Sequence, residues 1–378
     1  MDFKYTEEQE AMRAVARKFA EKEIAPVAGQ YDEKDEFPTE IIRKLHEVGL
    51  LTIGVPEEYG GPGLDPITQA LIAEEISFGD GGTGTTVVAS NLLAANPVFV
   101  GGNDDQKRRF YSVLNEGKLA AFCLTEPGAG SDAVSMSTTA RREGDYYILN
   151  GTKQFISNGG VADIFTVFAT TDRSLRHKGI IAFMVDAHTP GVIIGKKENK
   201  LGIRTSDTRQ IIFEDVKVPV ANRLGEEGEG WTICMKSLDI SRPYIAAMAV
   251  GIAQAAYEAA VKYAKERIAF GKPIATFQAI QFMLADMAMG IEASRLFVHK
   301  ACFLREQGLP FTQMASFAKA FAGDTAMKVT LDAVQILGGY GYVKEYPVEK
   351  FMRDAKIMQI YEGTNQIQRV VIANNILR

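Results

Sequence analysis

Leu119-Ala120-Ala121-Phe122-Cys123-Leu124-Thr125-Glu126-Pro127-Gly128-Ala129-Gly130-Ser131-Asp132 is where this chain changes its hydrophobic period. Residues 119–124 are an apolar run bounded by Gly117 and by Glu126-Pro127-Gly128, the pattern of a buried strand that runs into a turn. Everything before it reads as helix. Thr6-Glu7-Glu8-Gln9 has the form of a capping box, and Met12, Val15, Ala16 and Phe19 follow at helical spacing until Pro26 ends the helix. A second helix opens near Pro38, carries Ile41, Ile42, Leu45 and Val48 inward and stops at Gly49. Residues 55–63 are dense in turn formers, and Asp65-Pro66 then offers a cap and a first-turn proline for a helix through Ile76. The small, apolar segment 83–100 reads as a buried helix, and 104–114 as an amphipathic one.

Downstream the period of two persists. Tyr146-Tyr147-Ile148-Leu149 meets Asn150-Gly151, a strong hairpin signal, with 152–156 as the returning strand. Further strand-like runs lie at 164–169, 180–185, 192–195 and 210–218, with Thr189-Pro190-Gly191 as one of the turns between them. After Gly225-Glu226-Glu227-Gly228-Glu229-Gly230 the helical period returns, with long helices expected at 231–266, 275–306, 311–336 and 365–377. The expected fold class is therefore α+β: an N-terminal all-α domain (1–118), a middle antiparallel β domain (119–224) and a C-terminal four-helix bundle (225–378).

A chain of 378 residues with 46% hydrophobic residues has enough apolar mass for several cores. Its net charge of -5, with no basic patch, argues against nucleic acid. No uninterrupted apolar run looks long enough to cross a membrane, and the start Met1-Asp2-Phe3-Lys4-Tyr5-Thr6 lacks the features of a signal or transit peptide, so a cytoplasmic location is expected. Cys123, Cys234 and Cys302 are odd in number and far apart, which fits free thiols in a reducing compartment. His46, His177, His188 and His299 have no neighbours at metal-ligand spacing, and no metal site is expected.

Five stretches have residue types that chemistry uses. The loop 125–132 leaves its strand with several glycines and the hydroxyls of Thr125 and Ser131, which can bring polar groups close to a flat or anionic ligand. It is not the GxGxxG fingerprint, and no βαβ pattern follows it. Phe155 and Ser157 stand two residues apart, on one side of a strand. In Gln335-Ile336-Leu337-Gly338-Gly339-Tyr340-Gly341-Tyr342 the first glycine caps a helix and the others allow close approach of backbone to a ligand. Arg267-Ile268-Ala269-Phe270-Gly271-Lys272-Pro273-Ile274 is either a solvated loop or a pyrophosphate clamp. In Tyr361-Glu362-Gly363-Thr364-Asn365-Gln366, Thr364 can cap a helix, and Glu362 sits beside free backbone N–H groups. By itself that is an ordinary glutamate near a helix start; it is also a suitable seat for a general base.

Two motifs give the chain a resemblance to the acyl-CoA dehydrogenases over essentially its whole length. One is Leu124-Thr125-Glu126-Pro127-Gly128-Ala129-Gly130-Ser131-Asp132, and the other is the spaced set Gln335, Gly338, Gly339, Gly341, Tyr342, Glu345, Lys350 and Asp354. The resemblance implies a homotetramer with one FAD per chain, an acyl-CoA substrate and an electron-transfer flavoprotein as partner. By similarity Leu124, Thr125 and Ser157 fall to the flavin, with Phe155 packed on its ring where the family more often has Trp. Ser131 falls between the flavin phosphates and the pantetheine. Arg267, Phe270, Gln278, Gln335 and Gly339 would bind the ADP half of a FAD held mainly by a neighbouring subunit, and Thr364 and Gln366 would complete that site.

The resemblance also makes Glu362 the base that takes the α-proton of the thioester while hydride leaves the β-carbon for flavin N5. Exclusion of water would raise its pKa toward working pH. Some relatives carry the base at the position of Ser241, and a hydroxyl cannot serve there. Asp239 would help to place CoA and Arg242 to place Glu362, unless the two form a purely structural ion pair. Tyr361, Gly363, Met248 and Asn91 would lie near the substrate, Asn91 either bridging backbone or facing the acyl group. A short straight-chain substrate such as butyryl-CoA is expected, with an alicyclic acyl-CoA as the alternative. An oxidase-like enzyme and a non-catalytic scaffold of the same fold are the other readings.

Overall fold

The computed structural model describes residues 4–377; the first three residues of the start discussed above lie outside it. The capping box forms as expected, with the Gln9 N–H donating to Thr6 Oγ1 and the Thr6 N–H to the Gln9 side chain, at the head of α1 (Glu7–Phe19). Pro26 does not end this helix. A π turn (Ala20–Ile24) carries it into α2 (Ala25–Lys34), where the proline falls in the first turn and its missing N–H is tolerated; Asp35 at φ 54° ends the run. In α3 (Thr39–Glu47) Ile41, Ile42 and Leu45 are buried, whereas Val48, just past the helix end, is 48% exposed.

Asp65 caps α4 (Pro66–Gly79) and Asp80 caps α5 (Gly81–Val88). The single buried helix expected over 83–100 is two helices: a π turn (Ala89–Ala94) separates α5 from α6 (Asn96–Gly101). An Asn103 capping box opens α7 (Asp104–Asn115).

The sheet contains β1 (Leu119–Cys123), β2 (Thr139–Glu143), β3 (Tyr146–Ser157), β4 (Ala162–Thr170), β5 (Ile180–Asp186), β6 (Val192–Lys197), β7 (Thr208–Pro219) and β8 (Arg223–Leu224). Their order is β6-β7-β3-β2-β4-β5-β8, with β1 on β4. Most pairs are antiparallel as expected, but β1 lies parallel to β4, and β2 meets β4 in parallel at Thr139↔Thr170. Asn150-Gly151 does not turn the chain. β3 runs straight through it against β7, and the dipeptide forms a bulge in which the Asn150 amide is spent on the Asp215 backbone N–H and carboxylate, each at 2.9 Å. The hairpin is instead β2–β3, turned by Gly144 at φ 59°. β2 escaped the sequence pattern because only Ala140 of its five residues is buried.

The helical period resumes in α8 (Gly230–Glu266), followed by a small hairpin of β9 (Ile268–Ala269) and β10 (Lys272–Pro273), then α9 (Gln278–Glu306), α10 (Thr312–Leu337), α11 (Val348–Ala355) and α12 (Asn365–Ile376). Helix α10 packs on α8, α9 and α12. Contrary to the reading of apolar runs, α8 is long and apolar enough to span a membrane by length and composition, yet 72% of its most apolar window is buried inside the fold. Its apolarity serves the core between the N-terminal helices and the bundle.

One buried ionic cluster joins all three parts. Lys350 on α11 donates to Asp80 at the head of α5 and, at 2.6 Å, to Asp354. Asp80 also accepts from Thr83 N (2.7 Å) and from Thr205 of the β6–β7 loop; Asp354 accepts from Ile203 N of that loop at 2.5 Å. Burial works against the Lys350 ammonium, but Asp354 and Asp80 outweigh it and hold it charged above its usual range. Removing the cation strands two buried carboxylates. Lys350→Met is therefore expected to destabilise the chain by about 3–5 kcal/mol, read as a lowered denaturant midpoint; an unchanged midpoint would refute the role assigned to the cluster.

Candidate active site

A cavity of about 300 Å³ opens where the loop after β1, the end of β3, α8 and the turn before α12 meet. Each wall has a local cause. The β1 loop is closed by mutual backbone bonds between Glu126 and Ala129 (3.0 and 3.1 Å). Beneath it the buried Glu126 carboxylate accepts from Lys153 Nζ at 2.8 Å, from Ser137 N and Oγ at 2.5 and 2.6 Å, and from Thr138 N at 3.0 Å. Burial opposes its charge, yet Lys153 and these donors bring its pKa down to about 2. The loop is thus anchored from below, while a Cβ on Gly128 or Gly130 would meet nothing within 4 Å, so its outer side is open. Thr125, Ser131 and Leu124 all line the cavity.

The end of β3 is bulged. Its register with β7 shifts between Lys153 and Ile156, Phe155 takes φ 59°, and its ring stays 62% exposed. Phe155 and Ser157 therefore both reach the cavity, as their spacing suggested, and the Gln154 N–H ties this strand to Thr125 O at 2.8 Å.

The third wall is Tyr361-Glu362-Gly363. Glu362 (φ 55°) and Gly363 (φ 91°) are both left-handed, which for a non-glycine residue is strained by roughly 1 kcal/mol or more. The turn is pinned through its carbonyls. Gln368 Nε2 donates to Glu362 O (3.2 Å) and Gly363 O (3.1 Å), and Lys319 Nζ donates to Gly363 O at 2.8 Å. Thr364 caps α12 by accepting from Ile367 N at 3.2 Å. The Glu362 carboxylate lies against Ser241 Oγ of α8. Ser241 is also 3.1 Å from Leu238 O. A hydroxyl has one proton, so it serves Glu362 when that group is charged and Leu238 O when a protonated Glu362 donates to it. Burial pushes the Glu362 pKa up to about 7, against the Ser241 hydrogen bond and the charges of Arg242 and Lys319.

The remaining expected residues are more scattered. Arg242 lines the cavity, but its Nη1 is held by Asp239 Oδ1 at 2.5 Å, and Asp239 Oδ2 accepts from Thr312 at 2.7 Å, so Asp239 faces α10 rather than the cavity. Asn91 lies in the π turn with its amide 3.5 Å from Val87 O; the cavity is lined on that segment by Ala89 and Leu93. Met248 is fully buried, and Ile245, about one turn earlier on α8, reaches the cavity in its place. Thr364 and Gln366 open on a separate hollow with Lys356 and Arg369. Arg267, Phe270, Gln278, Gln335 and Gly339 are exposed away from the cavity. Phe270, at 95% exposure, sits with Gly271 at the tip of the β9–β10 hairpin, both at positive φ as a type I′ turn requires, and Arg267 stacks on Tyr340 at 5.5 Å. Sequence reasoning missed Lys319, Gln368 and Trp231, and it weighed Ser241 only as a base. A lone cation inside the small apolar run 315–322 was the available signal for Lys319.

Three family descriptions match the chain in order: acyl-CoA dehydrogenase N-terminal domain over residues 6–118, middle domain over 121–216 and C-terminal domain over 228–377. Among curated relatives, a short-chain specific acyl-CoA dehydrogenase of Clostridium acetobutylicum is 47% identical over all of both chains. Among solved structures, butyryl-CoA dehydrogenase from Megasphaera elsdenii superposes with a TM-score of 0.98 at 48% identity, covering 100% of each chain. A chain in the structure described as "Electron transferring flavoprotein of Acidaminococcus fermentans: Towards a mechanism of flavin-based electron bifurcation" does so at 0.98 and 50% identity, again over 100% of each.

Because Ser241 stabilises the charged form of Glu362, Ser241→Ala is expected to raise the midpoint of the Glu362 titration above about 7, followed as the infrared carboxyl band. A midpoint that stays or falls would contradict this wiring.

Proposed function

The chain belongs to the acyl-CoA dehydrogenase family, and we propose that Glu362 is the general base with which it dehydrogenates a short-chain acyl-CoA, passing the electrons to an electron-transfer flavoprotein. It is an acyl-CoA dehydrogenase and a FAD flavoprotein. The observation that carries the proposal is the half-buried Glu362 carboxylate, its pKa raised to about 7, facing across one cavity the Phe155, Thr125 and Ser157 wall.

The residues present fit a flavin. An exposed aromatic face, three hydroxyls and a glycine loop with an open outer side surround a single cleft. Thr125 and Ser157 would hold the ring system, Phe155 would pack on it, and Ser131 would meet the phosphates and pantetheine. When bound, FAD supplies the acceptor for the β-hydride. Arg267, Phe270, Gln278, Gln335 and Gly339 would serve the ADP half across a subunit boundary, with Thr364 and Gln366 completing the site. Their exposure, together with apolar surface on α9, α10 and α12 (Met289 64%, Phe321 41%, Ile376 62% exposed), supports a homotetramer.

Glu362 has what a base for a weak carbon acid needs. Its pKa lies near working pH, so a useful fraction is charged while it remains basic enough to pull a thioester α-proton. Its carbonyl and that of Gly363 are occupied by Gln368 and Lys319, while its N–H makes no backbone hydrogen bond among the described residues. That N–H would meet the thioester carbonyl and stabilise the enolate-like charge, a donor worth about 3 kcal/mol. Arg242 would steady Glu362 and Asp239 would steady Arg242, bearing on CoA only indirectly; Tyr361 and Gly363 would flank the substrate.

Apolar Ala89, Leu93, Ile245 and Ile367 around a small cavity support a short, uncharged acyl group, and Arg242, the cation on its lining, is already tied to Asp239. The names of the relatives point the same way.

Anaerobic titration of the FAD-loaded protein with straight-chain and cyclic acyl-CoAs should show the flavin band bleached by butyryl-CoA. Bleaching by cyclic substrates alone would replace the substrate, and no bleaching would overturn the assignment. Glu362→Gln should keep its yellow colour and reduce about 10³-fold more slowly. In the parent protein the rate should rise as pH passes upward through about 7, since the charged carboxylate is the active form. Rapid reoxidation by air without an electron-transfer flavoprotein would favour the oxidase reading.

A further inference from the structure

Lys319 lies in the first third of α10, 1% exposed, in a run of alanines and phenylalanines. A buried ammonium there is costly unless every proton is used. Its hydrogen bonds go to the catalytic turn: to Gly363 O at 2.8 Å and Asn365 Oδ1 at 3.1 Å. Asn365 is itself held, its Nδ2 donating to Ala320 O (3.0 Å) and Asp324 Oδ1 (2.7 Å). Asp324 in turn accepts from Gln359 Nε2 at 2.7 Å, on the other side of the turn. The segment that presents Glu362 is thus fastened to α10 before, at and after its two left-handed residues.

We propose that Lys319 is the positioning residue of the Glu362 base: through the Gly363 carbonyl it holds the strained turn that presents the carboxylate. This rests on the reading of Glu362 as base. The ionisable groups that face the pair are Arg242 from α8, Asp324 from α10 and Tyr361 on the turn itself. Arg242 adds to the effect of Lys319 on Glu362, while Asp324 and Glu362 favour the Lys319 cation that burial disfavours. Among the described residues no carboxylate is hydrogen-bonded to Lys319 directly. Its charge is therefore left to act on Glu362, unlike that of Lys350, which two bonded carboxylates neutralise.

Lys319→Met removes both the tether and the charge; Lys319→Gln keeps a donor for the Gly363 carbonyl and removes only the charge. In the FAD-loaded enzyme, Lys319→Met should lower kcat about 100-fold with little change in KM, as expected for a displaced base. Lys319→Gln should recover most of that loss. In both variants the infrared midpoint of the Glu362 carboxyl, measured without substrate, should move upward, because a nearby cation has gone. Arrest of activity in Glu362→Gln alongside wild-type kcat and midpoint in the lysine variants would overturn the role of Lys319 and leave the base standing. Full activity in Glu362→Gln would overturn the base itself. If Lys319→Met fails to fold, Lys319→Gln decides: an unmoved midpoint overturns the proposal, even if the variant melts at a lower temperature.

Discussion

The cluster of Lys350, Asp80 and Asp354 is the constraint on which the other geometry depends. An ammonium and two carboxylates taken out of water hold together only when all three are in place, and they come from α11 and the head of α5. The β6–β7 loop contributes Thr205 and the Ile203 N–H. The N-terminal helices, the sheet and the bundle therefore meet in one relative position. The cavity bounded by the β1 loop, the bulge of β3, α8 and the turn before α12 has walls from separate parts of the chain, so its shape depends on that fixed arrangement.

Three buried lysines show how partners, not burial alone, set charge. Lys350 bonds two carboxylates and is held charged above its usual range. Lys153 bonds one, Glu126, and burial still brings it below the ordinary lysine value. Lys319 bonds a carbonyl and an amide oxygen, and burial brings it down to about 7. The first two brace the scaffold and the floor of the β1 loop. The third lies behind Glu362, which burial has moved to about 7 from the other side. Two groups of opposite charge thus share one turn, and each favours the charged form of the other.

Two left-handed non-glycine residues line the same cavity. Of the non-glycine residues at positive φ, Phe155 and Glu362 form opposite walls of the cavity, and Phe270 stands at the exposed tip of its hairpin. Each left-handed backbone turns a side chain out of the regular packing, and each is held by its surroundings: the bulge against β7, the carbonyl tethers from Lys319 and Gln368, and the paired glycine of a type I′ turn.

By itself the sequence determined what depends on local period and on short-range chemistry. The three-part succession of helices, strands and helices follows from apolar spacing, and the caps at Thr6, Asp65 and Thr364 follow from side chains that reach backbone N–H groups two or three residues on. The walls at Leu124–Thr125, Ser131, Phe155, Ser157 and Tyr361–Gly363 were legible because each lies in a compact motif. Asn150-Gly151 misled, since its turn propensity is weaker than the pairing of a whole strand with β7, and Pro26 misled because a π turn absorbs it. Only the tertiary structure decided that Asp239 faces α10, that Ser241 is a hydrogen-bond partner of Glu362, and that Lys319 and Gln368 hold the turn. Ser241 stands 121 positions from Glu362 and Lys319 stands 44 from Gly363, distances at which no periodicity reaches, so their roles arise from burial and hydrogen bonding that exist once the helices have packed.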